Sequence, residues 1–513
     1  MHLDPSPGCV DLLVDRHVRA GLAGRVALIE GGASGRRTVR YGELQRLSVA
    51  AARELDIRLA GSRRQQRVAL VGSATLETVV YWLGAMRAGH LPFLVHPDLP
   101  ASQYDMLWRD FDPRLVLADR TSRVAAAEPM TPVEQLADGA QPTSPHLPVS
   151  DLAASFDLRP ALVLATSGST GRLKLCVHAH RSFWEFERTV TRRMWGITRE
   201  DRVLASIGPF FSFGLQGLHA PLSVGATAVM VPQWQQHTEF LDAIEAEAVS
   251  VFLAVPTLYH LLTVRARRPY RFDALRLAMS AGERLPPVVR QRWEGWSGTR
   301  MLDSIGATET FAPYLSETVF GPPGLQPVDG FRYTEMPHAA SEDVPSGTFA
   351  LGLREGCLML GYLDADVPGS IASPPTLFET GDLFVRDAAG LRFVSRDSER
   401  IKVAGHWVSP QELEAFLLTD KRVLKAAAVP ITTPEGLTRL RAYLVTAGGC
   451  EDTTVAHDLM KRMQQELHPK ALRPDRIEFV ADIATTPSGK LKRQELVHLM
   501  RQAPSSSGVL LAG

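Results

Sequence analysis

The chain has 513 residues, with 56 Lys+Arg against 56 Asp+Glu, 45% hydrophobic and 22% charged residues. Balanced charge argues against a nucleic-acid or polybasic membrane protein, and the composition is globular rather than disordered. At about 150 residues per domain the length suggests roughly three folding units with room for large cores.

The start of the chain, Met1 to Val14, carries Asp4, Pro5, Pro7 and Asp11 and lacks the basic region and apolar run of a signal peptide. Cys9, Cys176, Cys357 and Cys450 are far apart with no CxxC spacing. Neither a zinc knuckle nor a disulfide framework is expected, and a cytoplasmic setting is. Val68 to Val71 reads as a short buried strand. Leu76 to Ala88 then places Leu76, Val79, Val80, Leu83 and Met86 on one helical face, with Gly89 as the C-cap. Leu91 to Val95, Leu115 to Ala118, Ala161 to Ala165, Ala226 to Val231, Val249 to Ala254 and Leu275 to Ser280 repeat the short apolar run. This rhythm predicts α/β layers with largely parallel sheet. Val203 to Val231 contains no Asp, Glu, Lys or Arg, a length able to span a bilayer. Pro209, Pro221 and four glycines are expected to break it, so it reads as buried core and pocket lining.

After about Arg400 the texture changes. Ser409-Pro410-Gln411-Glu412 reads as a capping box with Pro at the first helical position, opening a helix that turns Leu413, Phe416 and Leu417 inward. Strands are expected at Ala426–Val429, Ala442–Val445 and Ile477–Val480, and a helix from Val455 to Leu467. The predicted fold class is therefore α/β: a large N-terminal α/β domain of layered sheets and helices (1–396), a small mobile C-terminal α+β domain (397–501), and a flexible tail (502–513).

The strongest local signal is Thr166-Ser167-Gly168-Ser169-Thr170-Gly171-Arg172-Leu173-Lys174, directly after an expected strand. Glycines let the backbone curl its N–H groups around an anion, hydroxyls add donors, and Lys174 adds a positive charge. Four further islands follow: Ser280-Ala281-Gly282-Glu283-Arg284, Asp303-Ser304-Ile305-Gly306-Ala307-Thr308-Glu309, Thr380-Gly381-Asp382 with Arg396, and Thr486-Pro487-Ser488-Gly489-Lys490. In this order and spacing they resemble the acyl-AMP-forming adenylate superfamily of acyl-CoA synthetases, peptide-synthetase adenylation domains and beetle luciferases. The resemblance runs from about residue 40 to 495.

The resemblance implies ATP, Mg²⁺ and coenzyme A as cofactors, and it implies roles. Thr166 to Lys174 would hold the β and γ phosphates. Thr308 would touch the α-phosphate, Glu309 would bind Mg²⁺, and Lys490 would bridge the carboxylate and α-phosphate. Asp382 would accept the ribose hydroxyls with Arg396 nearby, Gly282, Glu283, Arg284, Ser304 and Ile305 would flank the base, and Asp303 and Gly306 would belong to the same nucleotide site. In the family the small domain rotates between an adenylating and a thiol-transfer pose, so Lys402, Ala404, Gly405 and His406 would line the pantetheine tunnel. The stretch Pro209-Phe210-Phe211-Ser212-Phe213-Gly214 and its surroundings are most similar to the benzoate–CoA ligase branch. A flat apolar pocket of Phe213, Gly214, Ala281, Gly282, Gly306, Ala307 and Ala312 would suit an aromatic ring.

Some positions depart from the family pattern. Leu173 and Leu175 replace a usual Pro and Gly, Ser398 stands at the usual hinge Asp beside Asp397, and Ala484 stands where Pro is common. Ala312 replaces a histidine frequent in benzoate ligases, which points to a substituted benzoic acid such as an aminobenzoate or hydroxybenzoate. The expected enzyme is an aryl acid–CoA ligase, AMP-forming. The alternative is a stand-alone adenylating enzyme that loads an acyl carrier protein. A luciferase-like oxygenase and a non-catalytic relative are disfavoured, the latter because Glu309, Asp382 and Lys490 are all present. Nucleic-acid and membrane partners are not expected, and a homodimer stays open.

Overall fold

A computed structural model of the chain describes residues 8–31, 35–60, 65–122, 124, 127–136, 157–167, 173–232, 237–266, 268–338, 343–364, 370–433, 437–447, 452–484, 496 and 508–510. Short apolar runs become the inner strands of two mixed sheets. One sheet has nine strands, in the spatial order Gln326–Pro327, Pro313–Ser316, Met301–Gly306, Leu277–Ala281, Val251–Ala254, Arg202–Ala205, Thr227–Met230, Val26–Glu30 and Arg37–Arg40. Its centre is parallel and its edges are antiparallel. Val251–Ala254 and Leu277–Ala281 are buried at every position, as expected of strands covered on both faces.

The second sheet orders Gly361–Tyr362, Leu173–Ala179, Pro160–Ser167, Leu91–Val95, Arg67–Val71, Leu115–Ala118 and Glu128–Pro129. A third, antiparallel sheet holds Phe331–Pro337, Phe349–Glu355, Phe378–Asp387 and Gly390–Arg396. One hydrophobic core running from Cys9 to Leu391 joins these three sheets. A separate core opens at Val403 and gathers the helices Pro410–Leu417 and Asp452–Glu466 and the strands Val423–Thr432, Thr438–Thr446 and Arg476–Phe479. Leu413 and Leu417 are fully buried there, the inward face expected for that helix.

Several local expectations yield to tertiary packing. The helix Leu76–Arg87 is buried from Leu76 through Met86 rather than along one face, because Gly84 admits the helix Tyr41–Arg58. A Cβ on Gly84 would lie 2.7 Å from that of Ala51. Pro221 does not end its helix, which runs Ser212–Val224 and stops at Gly225 with φ +80°. Every residue from Phe213 to Val224 is buried, and that packing outweighs the roughly 3 kcal/mol cost of an internal proline. Among the described residues no helix is long and apolar enough to cross a membrane.

The capping box does not form. The Ser409 hydroxyl donates to Gln411 Oε1 at 2.6 Å and makes no side-chain cap, while Glu412 turns toward Arg284 at 3.8 Å. Residues Gly508–Leu510, expected to be loose, pair antiparallel with Arg476–Phe479, whose outer edge offers unpaired backbone groups. Among the described residues Cys9, Cys176 and Cys357 are free and buried.

Two side chains of the large core dock the small one. Arg292 donates to the carbonyls of Leu418 and Thr419 at 2.9 and 2.7 Å, satisfying the end of the helix Pro410–Leu417. His260 Nε2 lies 3.0 Å from the Val423 carbonyl. Burial lowers the His260 pKa to about 4, so the neutral ring donates this bond.

Candidate active site

Adjacent parallel strands set out the first part of the site. Leu277–Ala281 and Met301–Gly306 pair with Ala281 opposite Ser304, so Gly282-Glu283-Arg284 and Ile305-Gly306-Ala307 leave side by side. These are carboxyl ends of sheet strands, where α/β folds bind ligands. Gly282 has φ +88°, a left-handed turn that carries the chain sharply off the strand. Glu283 Oε2 accepts from the Thr257 N–H at 3.0 Å and its hydroxyl at 2.7 Å, at the start of the helix Pro256–Arg265.

Asp303, on Met301–Gly306, donates its backbone N–H at 2.9 Å to Glu317 Oε2, which also accepts from Arg290 at 2.8 Å. Burial pushes the Asp303 carboxyl up to about 7; Arg290 pulls it down and the Glu317 charge adds to the rise. This folded value exceeds the unfolded one, so folding takes up a proton. The resulting stability is fully present below about pH 4 and lost as pH rises through about 7. Asp303→Asn keeps an oxygen for the Ser304 N–H, which donates to Oδ1 at 3.1 Å. Thermal unfolding is expected to show the variant gaining on the parent between pH 5 and pH 8. A difference that stays constant with pH would contradict the assignment.

The described ends of the glycine- and hydroxyl-rich motif, Thr166-Ser167 and Leu173-Lys174, lie on two antiparallel strands. Pro160–Ser167 extends two residues beyond the expected strand end and pairs with Leu173–Ala179, Thr166 opposite Lys174. Gly168, Ser169, Thr170 and Gly171 lie outside the described residues, as does Lys490. Leu175, where a glycine is usual, is 2% exposed in a core with Phe93, Val163 and Val177, so the change serves packing.

From this hairpin the Lys174 Nζ lies over the Tyr362 ring, 5.0 Å from its centre. The Tyr362 hydroxyl donates to Glu309 Oε1 at 2.8 Å. Glu309 stands in the short turn Thr308–Thr310 after Met301–Gly306. The Thr310 hydroxyl ties that turn to the Ala312 carbonyl at 2.7 Å, and the Met359 N–H donates to the Glu309 carbonyl at 2.8 Å. Phe311 follows at φ +57°, a strained backbone for an aromatic residue. Gln216 holds its carbonyl at 3.2 Å, and the rings of His178, Phe183, Phe186 and His219 enclose its side chain.

Among the described residues no group of three His, Cys, Asp or Glu could hold a metal ion. Glu309 instead offers a single carboxylate. That donor set fits Mg²⁺, which typically takes one or two carboxylates and completes its shell with phosphates and water.

Asp382, on the strand Phe378–Asp387, is 4% exposed and so is no surface ion pair. Oδ1 accepts from Arg396 Nε at 2.9 Å, and Oδ2 accepts from the Tyr314 hydroxyl. Each oxygen retains a lone pair for a further donor such as a ribose hydroxyl. Burial and the Asp382 charge hold Tyr314 well above the usual phenol range, so it stays a donor.

Phe213 and Gly214 open the helix Ser212–Val224, and Phe213, Ala281 and Ala312 share the large core. A Cβ on Gly214 would lie 2.0 Å from the Gly208 carbonyl oxygen, so only glycine fits this wall. Ala312 is 1% exposed and packs in the same core. Ile401–Val403 and His406–Val408 form a separate hairpin whose turn residues, Ala404 and Gly405, both have positive φ, +50° and +89°. Asp343 anchors it, with Oδ1 2.9 Å from His406 Nδ1 and Oδ2 2.9 Å from the Trp407 N–H. Lys402 and His406 are exposed, and no described side-chain bond joins this hairpin to Thr308 or Glu309.

The structure thus unites Lys174 with Glu309, Asp382 with Arg396, and the Gly282 and Ser304 segments. It adds Thr257, Tyr314 and Tyr362, which the sequence reading does not pick out.

The AMP-binding enzyme profile matches residues 14–331, and the AMP-binding enzyme C-terminal domain profile matches residues 412–490. The chain is 30% identical over 506 residues to the 4-hydroxybenzoate–CoA/benzoate–CoA ligase of Rhodopseudomonas palustris, covering 94% of this chain and 92% of that one. The crystal structure of a benzoate CoA ligase from Burkholderia xenovorans LB400 matches with TM-score 0.79 and 25% identity, over 95% and 99% of the two chains. An anthranilate CoA ligase in complex with anthranoyl-AMP shares the fold at TM-score 0.82 and 22% identity, over 96% and 97%. The chain belongs to the AMP-binding enzyme family, as an acid–thiol ligase akin to the benzoate–CoA ligases.

Proposed function

We propose that the protein activates a substituted benzoic acid with ATP and passes the aryl group to coenzyme A. The observation that carries this reading is the meeting of Lys174, on the hydroxyl-rich hairpin, with the Glu309 carboxylate across Tyr362. Cation donors, a metal-compatible carboxylate and the ends of parallel strands converge there, as an attack on a triphosphate requires.

In the first step a carboxylate oxygen of the acid bonds to the α-phosphorus and pyrophosphate leaves, giving aryl-AMP. Residues 166–174 hold the outgoing phosphates, Thr308 meets the α-phosphate, and Lys490 bridges the two reacting anions. Asp382, with Arg396 beside it, accepts from the ribose hydroxyls, and Gly282 to Arg284 with Ser304 and Ile305 flank the base. Mg²⁺ held by Glu309 supplies charge neutralisation on the phosphates. In the second step the coenzyme A thiol attacks the acyl carbon, AMP leaves and the thiol proton passes to solvent. Residues 397–501 rotate between the steps and bring Lys402 to His406 to the thiol arm. Arg292 and His260 dock one of these poses.

A substituted ring is favoured because Ala312, a smaller and apolar side chain, stands where the benzoate branch often has histidine. Phe213, Gly214, Ala281, Gly306 and Ala307 supply a flat apolar wall. The relative from Rhodopseudomonas palustris is named for 4-hydroxybenzoate and benzoate. A kcat/KM panel of benzoate, aminobenzoates, hydroxybenzoates, fatty acids and amino acids tests this. A substituted benzoate is expected to lead. Plain benzoate in first place would remove the substituent, and a fatty acid or amino acid in first place would remove the aryl acid. Aryl-AMP that accumulates in the presence of coenzyme A would move the acceptor to a carrier protein.

A further inference from the structure

The segment Met359 to Leu363 is a strap stitched to both halves of the phosphate-facing region. The Leu360 N–H donates to the Val177 carbonyl at 2.8 Å and the Leu363 N–H to the Leu175 carbonyl at 2.9 Å. Tyr362 is thereby paired with Cys176 on the far strand of the hairpin. On its other side the Met359 N–H donates to the Glu309 carbonyl at 2.8 Å. Gly361 lets the strap pass close to the following segment: it has φ +146°, and a Cβ there would lie 1.9 Å from the Ala372 carbonyl oxygen.

Tyr362 sits at the crossing and uses its two ends differently. Its hydroxyl donates to Oε1 of Glu309, and its ring face carries the Lys174 ammonium. A carboxylate on a three-residue turn has rotational freedom that a single donor removes. With Oε1 committed to the phenol, Oε2 has a fixed direction. A lysine seated on a ring loses freedom likewise, while its ammonium keeps donors for phosphate.

We propose that Tyr362 is a positioning residue that orients Glu309 toward the divalent metal through its hydroxyl and Lys174 toward the triphosphate through its ring. This rests on the reading of Glu309 as the metal ligand. The two tasks separate by chemistry: Tyr362→Phe removes only the first, and Tyr362→Leu removes both.

The test is binding, read apart from turnover, on the full chain. Mn²⁺ is titrated by electron paramagnetic resonance in the presence of a non-hydrolysable ATP analogue, and the analogue alone is titrated by calorimetry in EDTA. Tyr362→Phe is expected to weaken Mn²⁺ binding about 10-fold or more, as loss of a partner that orients a metal ligand does. It should leave metal-free nucleotide affinity unmoved, whereas Tyr362→Leu should weaken both. If Tyr362→Phe binds Mn²⁺ like the parent, or loses metal and nucleotide in equal measure, the positioning role is overturned. Glu309→Gln is the control for the underlying reading: if it retains full Mn²⁺ affinity, Glu309 is not the metal ligand.

Discussion

Lys490→Ala is expected to lower the rate of aryl-AMP formation about 10²–10³-fold or more while sparing thioester formation from supplied aryl-AMP. Adenylation brings two anions, the acid's carboxylate and the α-phosphate, into contact before pyrophosphate leaves. A cation that bridges them acts where charge is most concentrated, so its removal falls on that step. Thioester formation begins from a neutral acyl carbon and a thiol, with the phosphate already esterified. In the two-pose scheme a different part of the small domain faces the reaction then, the hairpin with Ala404 and Gly405 at its turn. Pyrophosphate release reports the first half-reaction, and thioester yield from synthetic aryl-AMP reports the second. Equal losses in both would contradict the division of labour and, with it, the proposed rotation.

Asp382→Ala is expected to cost both fold stability and ATP binding. Asp382 is 4% exposed and accepts from Arg396 and from the fully buried Tyr314. Removing one member of a buried ion pair costs about 3–5 kcal/mol, because the partner charge is left uncompensated. The Arg396 side chain keeps 42% exposure and recovers part of this from water, so the lower end, about 3 kcal/mol, is expected. The ATP KM should rise about 10-fold or more through the lost charged acceptor for ribose. Asp382→Asn retains one acceptor oxygen and separates the effects, with a smaller loss of stability and most of the KM increase. An unchanged ATP KM in both variants would remove the ribose contact.

What was legible in the sequence follows from the range over which each feature is determined. Strands such as Arg67–Val71 and Leu91–Val95 declare themselves because burial on both faces demands an unbroken apolar run. The C-cap at Gly89 is legible because a left-handed residue there, at φ +75°, needs glycine locally. The residues that steady the proposed site were not legible. Thr257 lies 26 positions from Glu283, Tyr362 lies 53 from Glu309, and Tyr314 lies 68 from Asp382. Those pairings are set by strand register and crossing, which no local pattern encodes. A local rule can also lose outright, as Ser409 shows. Its hydroxyl has a competing acceptor two residues on in Gln411, and the glutamate of the expected box faces Arg284 instead. The hairpin likewise outruns its expected strand because Leu173 and Leu175 are strand-compatible where the family uses Pro and Gly.

The most direct test of the account is mass spectrometry of the products formed with ATP, Mg²⁺ and a mixture of benzoic, aminobenzoic and hydroxybenzoic acids, with and without coenzyme A. The account predicts aryl-AMP and pyrophosphate without coenzyme A, and aryl-CoA with stoichiometric AMP when it is added. Formation of ADP in place of AMP, or no acyl adenylate from any aryl acid, would contradict it.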